Sequence, residues 1–241
     1  MLEPWEGEAT LNILFWDIDG TLIRTSGAGL YAFEQATSQL WNRSVDFSTV
    51  RSAGMTDHSI AAQIVEAVVG RQPAHEEIIA LTDRYETLLP QHLAKRACRI
   101  LPSIFEILNH FRHQDNYKTL LLTGNSRIGS EIKLRYLGLA HYFDFSYSAF
   151  CDHRSSRIDI AHSALAAAEA LCPQEQSAKL FVIGDTPHDI QCGQAIGAYT
   201  VAVATGSFSV EQLNAYSPWW SMDELPPPEQ FRAQIEGIAK K

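Results

Sequence analysis

Four short apolar runs punctuate the chain. They are LNILFW (residues 11–16), YKTLLLT (117–123), KLFVIG (179–184) and AYTVAVA (198–204), each followed by Gly, Thr, Asn or Asp. Runs of this length bounded by turn residues predict buried strands. A fifth, weaker candidate is FDFSYSAF (143–150). Helical periodicity fills the intervals. PSIFEILNHFRHQ (102–114) sets Ile104, Ile107, Leu108 and Phe111 on one stripe, with Pro102 where a first turn tolerates it. SRIGSEIKLRYLGL (126–139) sets Ile128, Ile132, Arg135 and Tyr136 at helical spacing and stops at Gly138. SRIDIAHSALAAAEALC (156–172) is rich in Ala, and PHDIQCGQAIGA (187–198) starts on Pro and ends at Gly197. A short terminal helix follows the proline run 226–228.

Strand and helix in alternation predict crossover units and a parallel sheet covered on both faces. The fold class is α/β, a doubly wound parallel sheet of Rossmann-like form. Residues 25–96 break the alternation with helical patterns near 27–41, 57–70 and 75–94 and no convincing strand. The expected division is a core of 1–24 plus 97–241 and an inserted α-helical cap of 25–96. In an open parallel sheet the ligand site lies beyond the carboxyl ends of the strands, so the polar residues after each run are the candidates.

The first run ends in Asp17-Ile18-Asp19-Gly20-Thr21. Side chains two apart at a strand end face one cleft. A carboxylate there can attack phosphorus, and a second can protonate the leaving oxygen and later activate water. Like charges this close favour a raised pKa on one of them. Gly20 permits a sharp turn that brings backbone N–H groups to a phosphate. A calcium loop would need Glu at its twelfth position, where this chain has Ala28. Thr123, Gly124 and Asn125 follow the second run and offer a hydroxyl and amides for phosphate oxygens. Asp185 and Asp189, in GDTPHD after the third run, offer hard oxygen ligands for Mg²⁺. Each motif alone also fits an ordinary turn or helix cap; three of them at three strand ends supply a nucleophile, an acid–base, a phosphate donor and metal ligands together.

DIDGT, LLTGN and VIGDTPHD resemble the first, second and fourth motifs of the haloacid dehalogenase superfamily, and most of all its phosphoglycolate-phosphatase-like hydrolases. The likeness spans nearly the whole chain and includes the position of the helical insert. It implies Asp17 as nucleophile and metal ligand, and Asp19 as acid–base with its carbonyl on the metal. Thr123 would hold the phosphoryl group with help from Gly124 and Asn125. Asp185 would bind Mg²⁺, and Asp189 would bind the ion or sit just behind it. The third motif departs from the usual Lys, since no Lys lies between Lys133 and Lys179. Arg157 fits the spacing of members that use Arg there, with Arg154 as its rival. In the insert, SAGMTDHSI (52–60) resembles a specificity loop in which Thr56 or Asp57 caps a helix. Arg24, Arg43 and Arg51 are candidates to meet an anionic substrate tail, and His58 is read as packing.

These residues imply an Mg²⁺-dependent phosphatase acting on a small phosphorylated metabolite. Asp19 argues against a dehalogenase, and a phosphonatase would want a cap Lys where only Lys95, at its end, is offered. A sugar phosphomutase and a non-catalytic binding protein remain as alternatives. Composition narrows the rest. With 46% hydrophobic and 20% charged residues the chain builds an ordinary core. A net charge of −9 without a basic block argues against a nucleic-acid partner. No apolar run reaches the roughly 20 residues of a membrane span. Cys98, Cys151, Cys172 and Cys192 show no paired spacing and read as thiols of a reducing compartment, with a cytoplasmic location as the default. Trp219 and Trp220 are read as edge packing.

Overall fold

A computed structural model describes residues 10–152, 156–172 and 178–237. Its elements are, in order, β1 (Leu11–Trp16), β2 (Ile23–Arg24), α1 (Ala28–Trp41), α2 (Asp57–Val69), α3 (His75–Ala94), β3 (Arg99–Ile100), α4 (Ile104–Phe111), β4 (Tyr117–Leu121), α5 (Arg127–Tyr136), α6 (Arg157–Leu171), β5 (Ala178–Gly184), α7 (Pro187–Ala195), β6 (Tyr199–Val203), α8 (Val210–Asn214), β7 (Trp220–Met222) and α9 (Pro228–Gly237). Five strands form one parallel sheet in the order β4-β1-β5-β6-β7.

All six residues of β1 are buried, as a central strand covered on both faces requires. Leu14 and Trp16 enter one core with Ile104, Phe111, Phe231 and Ile235 of α4 and α9. Ile13 and Phe15 enter the other, with Ile160, Ala161 and Ala164 of α6. The alternation of strand side chains thus sorts one run between two cores. Strand order reverses at β1, with β4 on one side and β5 on the other. Such a switch point leaves a crevice at the carboxyl ends, and Asp17 and Asp19 follow β1 there.

Helices α1, α2 and α3 share a separate apolar core, in which Phe33 stacks on Tyr85 with centroids 4.0 Å apart. The chain enters and leaves this helical unit through one antiparallel ribbon, Ile23 opposite Ile100 and Arg24 opposite Arg99.

Three readings change. Residues 143–150 form no strand, only a single bridge between Leu122 and Ala149. Local side chains take over the backbone groups: Ser146 N donates to Asp144 Oδ1, and the Ser148 hydroxyl donates to Asp144 O and accepts from Leu121 N. The fifth strand is instead β7. Trp219 packs on Phe181 and Tyr199, and Trp220 stacks on Phe231, at the sheet edge as expected. Finally, α5 turns a different face inward. Ile128 and Tyr136 are about half exposed, while Gly129, Ser130, Lys133 and Leu134 are buried. That face meets α3 and the strand ends through small and polar side chains, with Leu134 entering the core below the sheet ends.

Of the cysteines, Cys151 and Cys192 are buried and Cys98 and Cys172 partly so. Among the described residues no helix is long and apolar enough to cross a membrane.

Leu14→Ala empties a fully buried site in the central strand. It should lower unfolding free energy by roughly 2–5 kcal/mol in urea denaturation; a loss below ~1 kcal/mol would contradict this placement.

Candidate active site

The three motifs meet at the crevice. Asp17 follows β1, and its N–H donates to Ile183 O of β5 at 3.0 Å. Asp185 follows β5 and accepts from the Thr21 hydroxyl at 3.1 Å. Asp189 lies in the first turn of α7, where its Oδ2 accepts from Thr186 N (3.1 Å) and Thr186 Oγ1 (2.7 Å) as a capping box. Oxygens of Asp17, Asp185 and Asp189 lie within 4.8 Å of one another, and all three residues are buried. Burial and the charge of Asp189 push the Asp17 carboxyl up to about 7, with Arg157 opposing. Burial and the charge of Asp17 push Asp185 well up too. The neighbouring Asp19 adds only a smaller upward push to Asp17.

Arg157 answers this charge. It opens α6 behind the Ser156 cap, a position where the helix dipole disfavours a cation. Its guanidinium pairs with Asp189 Oδ1 and stands 3.7 Å from Asp17 Oδ1. Burial alone would lower its pKa, but Asp189 and Asp17 outweigh that and raise it. Its buried Nε has no partner. Arg154 lies outside the described residues.

Thr123 is fully buried, and its hydroxyl near Asp17 opposes the rise in that carboxyl's pKa. The same oxygen accepts from Asn125 N at 3.3 Å and Asn125 Nδ2 at 2.9 Å. Asn125 Nδ2 also donates to Asp19 Oδ2 at 3.0 Å. Asn125 therefore ties Thr123 to Asp19, a job the reading of it as a backbone donor missed. Gly20 differs as well. Its N–H is spent on Ile23 O at 2.9 Å and is not turned toward a phosphate. Its φ of +88° and the 2.4 Å gap between a would-be Cβ and Asp185 Oδ2 are what demand glycine.

Lys133 escaped the sequence reading. Its Nζ lies 2.5 Å from Asp19 Oδ2 and 2.5 Å from Asn125 Oδ1. Burial works against its charge, but Asp19 and Asp57 prevail and raise its pKa. The family resemblance places its cation after residue 143, and the large apolar residues of α5 mark a different face from the one that carries Lys133. The spacing of Ser126, Gly129, Ser130 and Lys133 was the available signal: a stripe of small and polar side chains that only a packed polar site explains.

The helical unit closes over these loops. Thr56 caps α2, accepting from Ser59 N at 3.0 Å. Asp57 instead reaches across: its N–H donates to Gly124 O at 2.8 Å, and its Oδ2 accepts from Ser126 N at 2.9 Å. The Ser126 hydroxyl donates to Glu86 of α3. Gly54 (φ +70°) lies so close to the loop after β5 that a Cβ would stand 2.6 Å from His188 Cδ2. Of the candidate tail-binding arginines, Arg24 lines the cavity and donates to Thr205 O, whereas Arg43 donates to Val68 O away from it. Arg51 holds Gln63 through its backbone and does not line the cavity.

A parallel α/β sheet with an acidic cluster at its switch point and a helical insert after the first strand defines a class of hydrolase. Residues 13–203 match the family described as haloacid dehalogenase-like hydrolase, and the chain belongs to that family. Pyrophosphatase PpaX from Bacillus mycoides (strain KBAB4) is 26% identical over 89% of this chain and 94% of its own. Two solved structures share the fold. A hydrolase from Pseudomonas syringae has a TM-score of 0.67 at 19% identity, covering 95% of this chain and 99% of that one. A haloacid dehalogenase-like family hydrolase from Streptococcus pneumoniae has a TM-score of 0.60 at 18% identity, covering 94% and 99%.

Asp57 yields a prediction. Burial raises its pKa from 3.8 to about 6, against the pull of Lys133 and Ser126 N. The folded chain therefore holds this proton more tightly than the unfolded one. The associated stability is full below about pH 4 and is lost as pH rises through 6. Asn cannot ionise. Between about pH 4 and pH 7 the stability of wild type should fall relative to Asp57→Asn by up to about 3 kcal/mol, read by urea denaturation in magnesium-free buffer. A difference that does not vary with pH would contradict the assignment.

Proposed function

We propose that the chain is an Mg²⁺-dependent phosphatase that hydrolyses a small phosphomonoester through an aspartyl phosphate on Asp17. The observation that carries this reading is the cluster of Asp17, Asp185 and Asp189 facing Arg157 and Thr123 at one switch point. In this reading residues 1–24 and 97–241 form the catalytic core and 25–96 a cap. The substrate is a small phosphorylated metabolite.

The donor set suits a small hard cation: three buried carboxylates close together, two of them with pKa values pushed up by burial and by one another's charge. Asp17 and Asp185 would hold Mg²⁺ with the carbonyl of Asp19, and Asp189, already bonded to Arg157 and Thr186, would stand beside it. When bound, the ion neutralises charge on the carboxylates and on phosphoryl oxygens.

The chain's own groups do the rest. Asp17 attacks phosphorus, and the P–O bond to the alcohol breaks as the new one forms. Asp19 protonates the departing oxygen and then takes a proton from the water that cleaves the aspartyl phosphate. Lys133 and Asn125 fix Asp19 for both steps. Arg157 and the Thr123 hydroxyl receive the phosphoryl oxygens, with donors set before the charge develops. Asp57, by bonding Gly124 and Ser126, holds the insert over the site and limits bulk water.

Phosphate release from a phosphomonoester panel, with and without Mg²⁺, tests this. Asp17→Asn should abolish release. Asp19→Asn should lower kcat by about 10²–10⁴-fold and Arg157→Ala by about 10²–10³-fold. Lys133→Met, which loosens Asp19, should cost on the order of 10²-fold. Metal-independent release, or activity surviving in Asp17→Asn, would sink the reading. Phosphate passed to a second sugar and not to water would favour a mutase.

A further inference from the structure

The crevice encloses a cavity of about 540 Å³. That falls within the roughly 300–1,000 Å³ of pockets that bury ligands of drug size, and one phosphoryl group would leave most of it empty. Floor and roof differ in chemistry. The floor carries the carboxylates and cations described above. The roof, supplied by the helical unit, presents Leu30 and Met55, backed by the nearly buried Phe33, Ile60 and Tyr85, with Ser26, Ser52 and Gly54 beside them. Among the described residues the unit places no Lys or Arg in the lining; its one ionisable acid there is Asp57, a carboxylate. Among the described residues, the cations of the lining are Arg24, Lys133 and Arg157. Lys133 is held by Asp19, and Arg157 by Asp189 and Asp17. Arg24 is exposed at the rim and donates to Thr205 O.

A second phosphoryl group or a carboxylate tail, once desolvated, needs cations or several donors to replace its water. The roof offers the apolar carbon of Leu30 and Met55 over a buried aromatic pair. We propose that the leaving group is an uncharged alcohol with an apolar or aromatic face, seated under Leu30, Phe33, Met55, Ile60 and Tyr85. Inorganic pyrophosphate and carboxylate-tailed phosphates are then poor substrates, although curated relatives carry pyrophosphatase in their name. The inference rests on the phosphatase reading. The reaction it describes is hydrolysis alone: the phosphorus–oxygen bond breaks, the alcohol leaves with a proton, and water supplies the fourth oxygen of phosphate.

The test compares kcat/KM, with Mg²⁺, for benzyl phosphate, ethyl phosphate, phosphoglycolate and inorganic pyrophosphate. The three esters leave alkoxides of similar type, so the comparison reads the tail. Benzyl phosphate should exceed ethyl phosphate by about 10–100-fold, as burial of one ring implies. It should exceed phosphoglycolate and pyrophosphate by at least as much. Leu30→Ala should reduce the benzyl-to-ethyl ratio, and Leu30→Lys should raise pyrophosphate relative to benzyl phosphate. In Arg24→Ala the ratio of phosphoglycolate to ethyl phosphate should stay unchanged. Pyrophosphate or phosphoglycolate matching benzyl phosphate in wild type would overturn the inference alone. So would a tenfold fall of the phosphoglycolate ratio in Arg24→Ala. Hydrolysis of none of the four would overturn the phosphatase reading, and this inference with it.

Discussion

Repulsion among Asp17, Asp185 and Asp189 is the constraint that the rest of this structure answers. Three carboxylates buried within 4.8 Å of one another would not persist without compensation. Compensation comes from separate elements. Arg157 arrives from the start of α6 and accepts an unfavourable place on the helix dipole to pair with Asp189 and approach Asp17. Thr21 and Thr186 donate hydroxyls to Asp185 and Asp189. Glycine at position 20 leaves room for Asp185. What remains unbalanced appears as the raised pKa of Asp17 and Asp185. Perturbed carboxyls converging on a cleft are a mark of function, and in the proposed reading a hard cation is the partner that would relieve this repulsion.

The second polar network depends on the first for its position. Lys133 and Asn125 hold Asp19, and Asn125 also holds Thr123, whose hydroxyl lies beside Asp17. The loop carrying Thr123, Gly124 and Asn125 is gripped from the helical unit by Asp57 and Glu86. Displacing the insert would therefore loosen the same loop that positions the nucleophile's neighbours.

Much of this was legible because strand ends are written in the sequence as abrupt changes from apolar to polar. LNILFW followed by DIDGT placed Asp17 and Asp19, and KLFVIG followed by DTPHD placed Asp185 and Asp189. The helical insert was visible as 72 residues, 25–96, without strand periodicity. Misreadings arose where a side chain's partner is distant in sequence. The Asp19–Lys133 pair spans 114 positions, and nothing local marks Lys133 as buried. The inward face of α5 is small and polar, so a search for large apolar residues chose the wrong stripe. Residues 143–150 have strand composition, but Asp144, Ser146 and Ser148 bond their own backbone first. Trp220 joined the sheet because β6 offered an open edge, a tertiary opportunity invisible in the run itself.

The central claim is that the phosphoryl group passes through Asp17. Rapid acid quench within the first turnover on a hydrolysed ester, followed by peptide mass spectrometry, tests it most directly. One added phosphoryl group is expected on the peptide containing Asp17, formed before free phosphate and missing in Asp17→Asn. Free phosphate in the first turnover with no phosphorylated Asp17 at any quench time would contradict it.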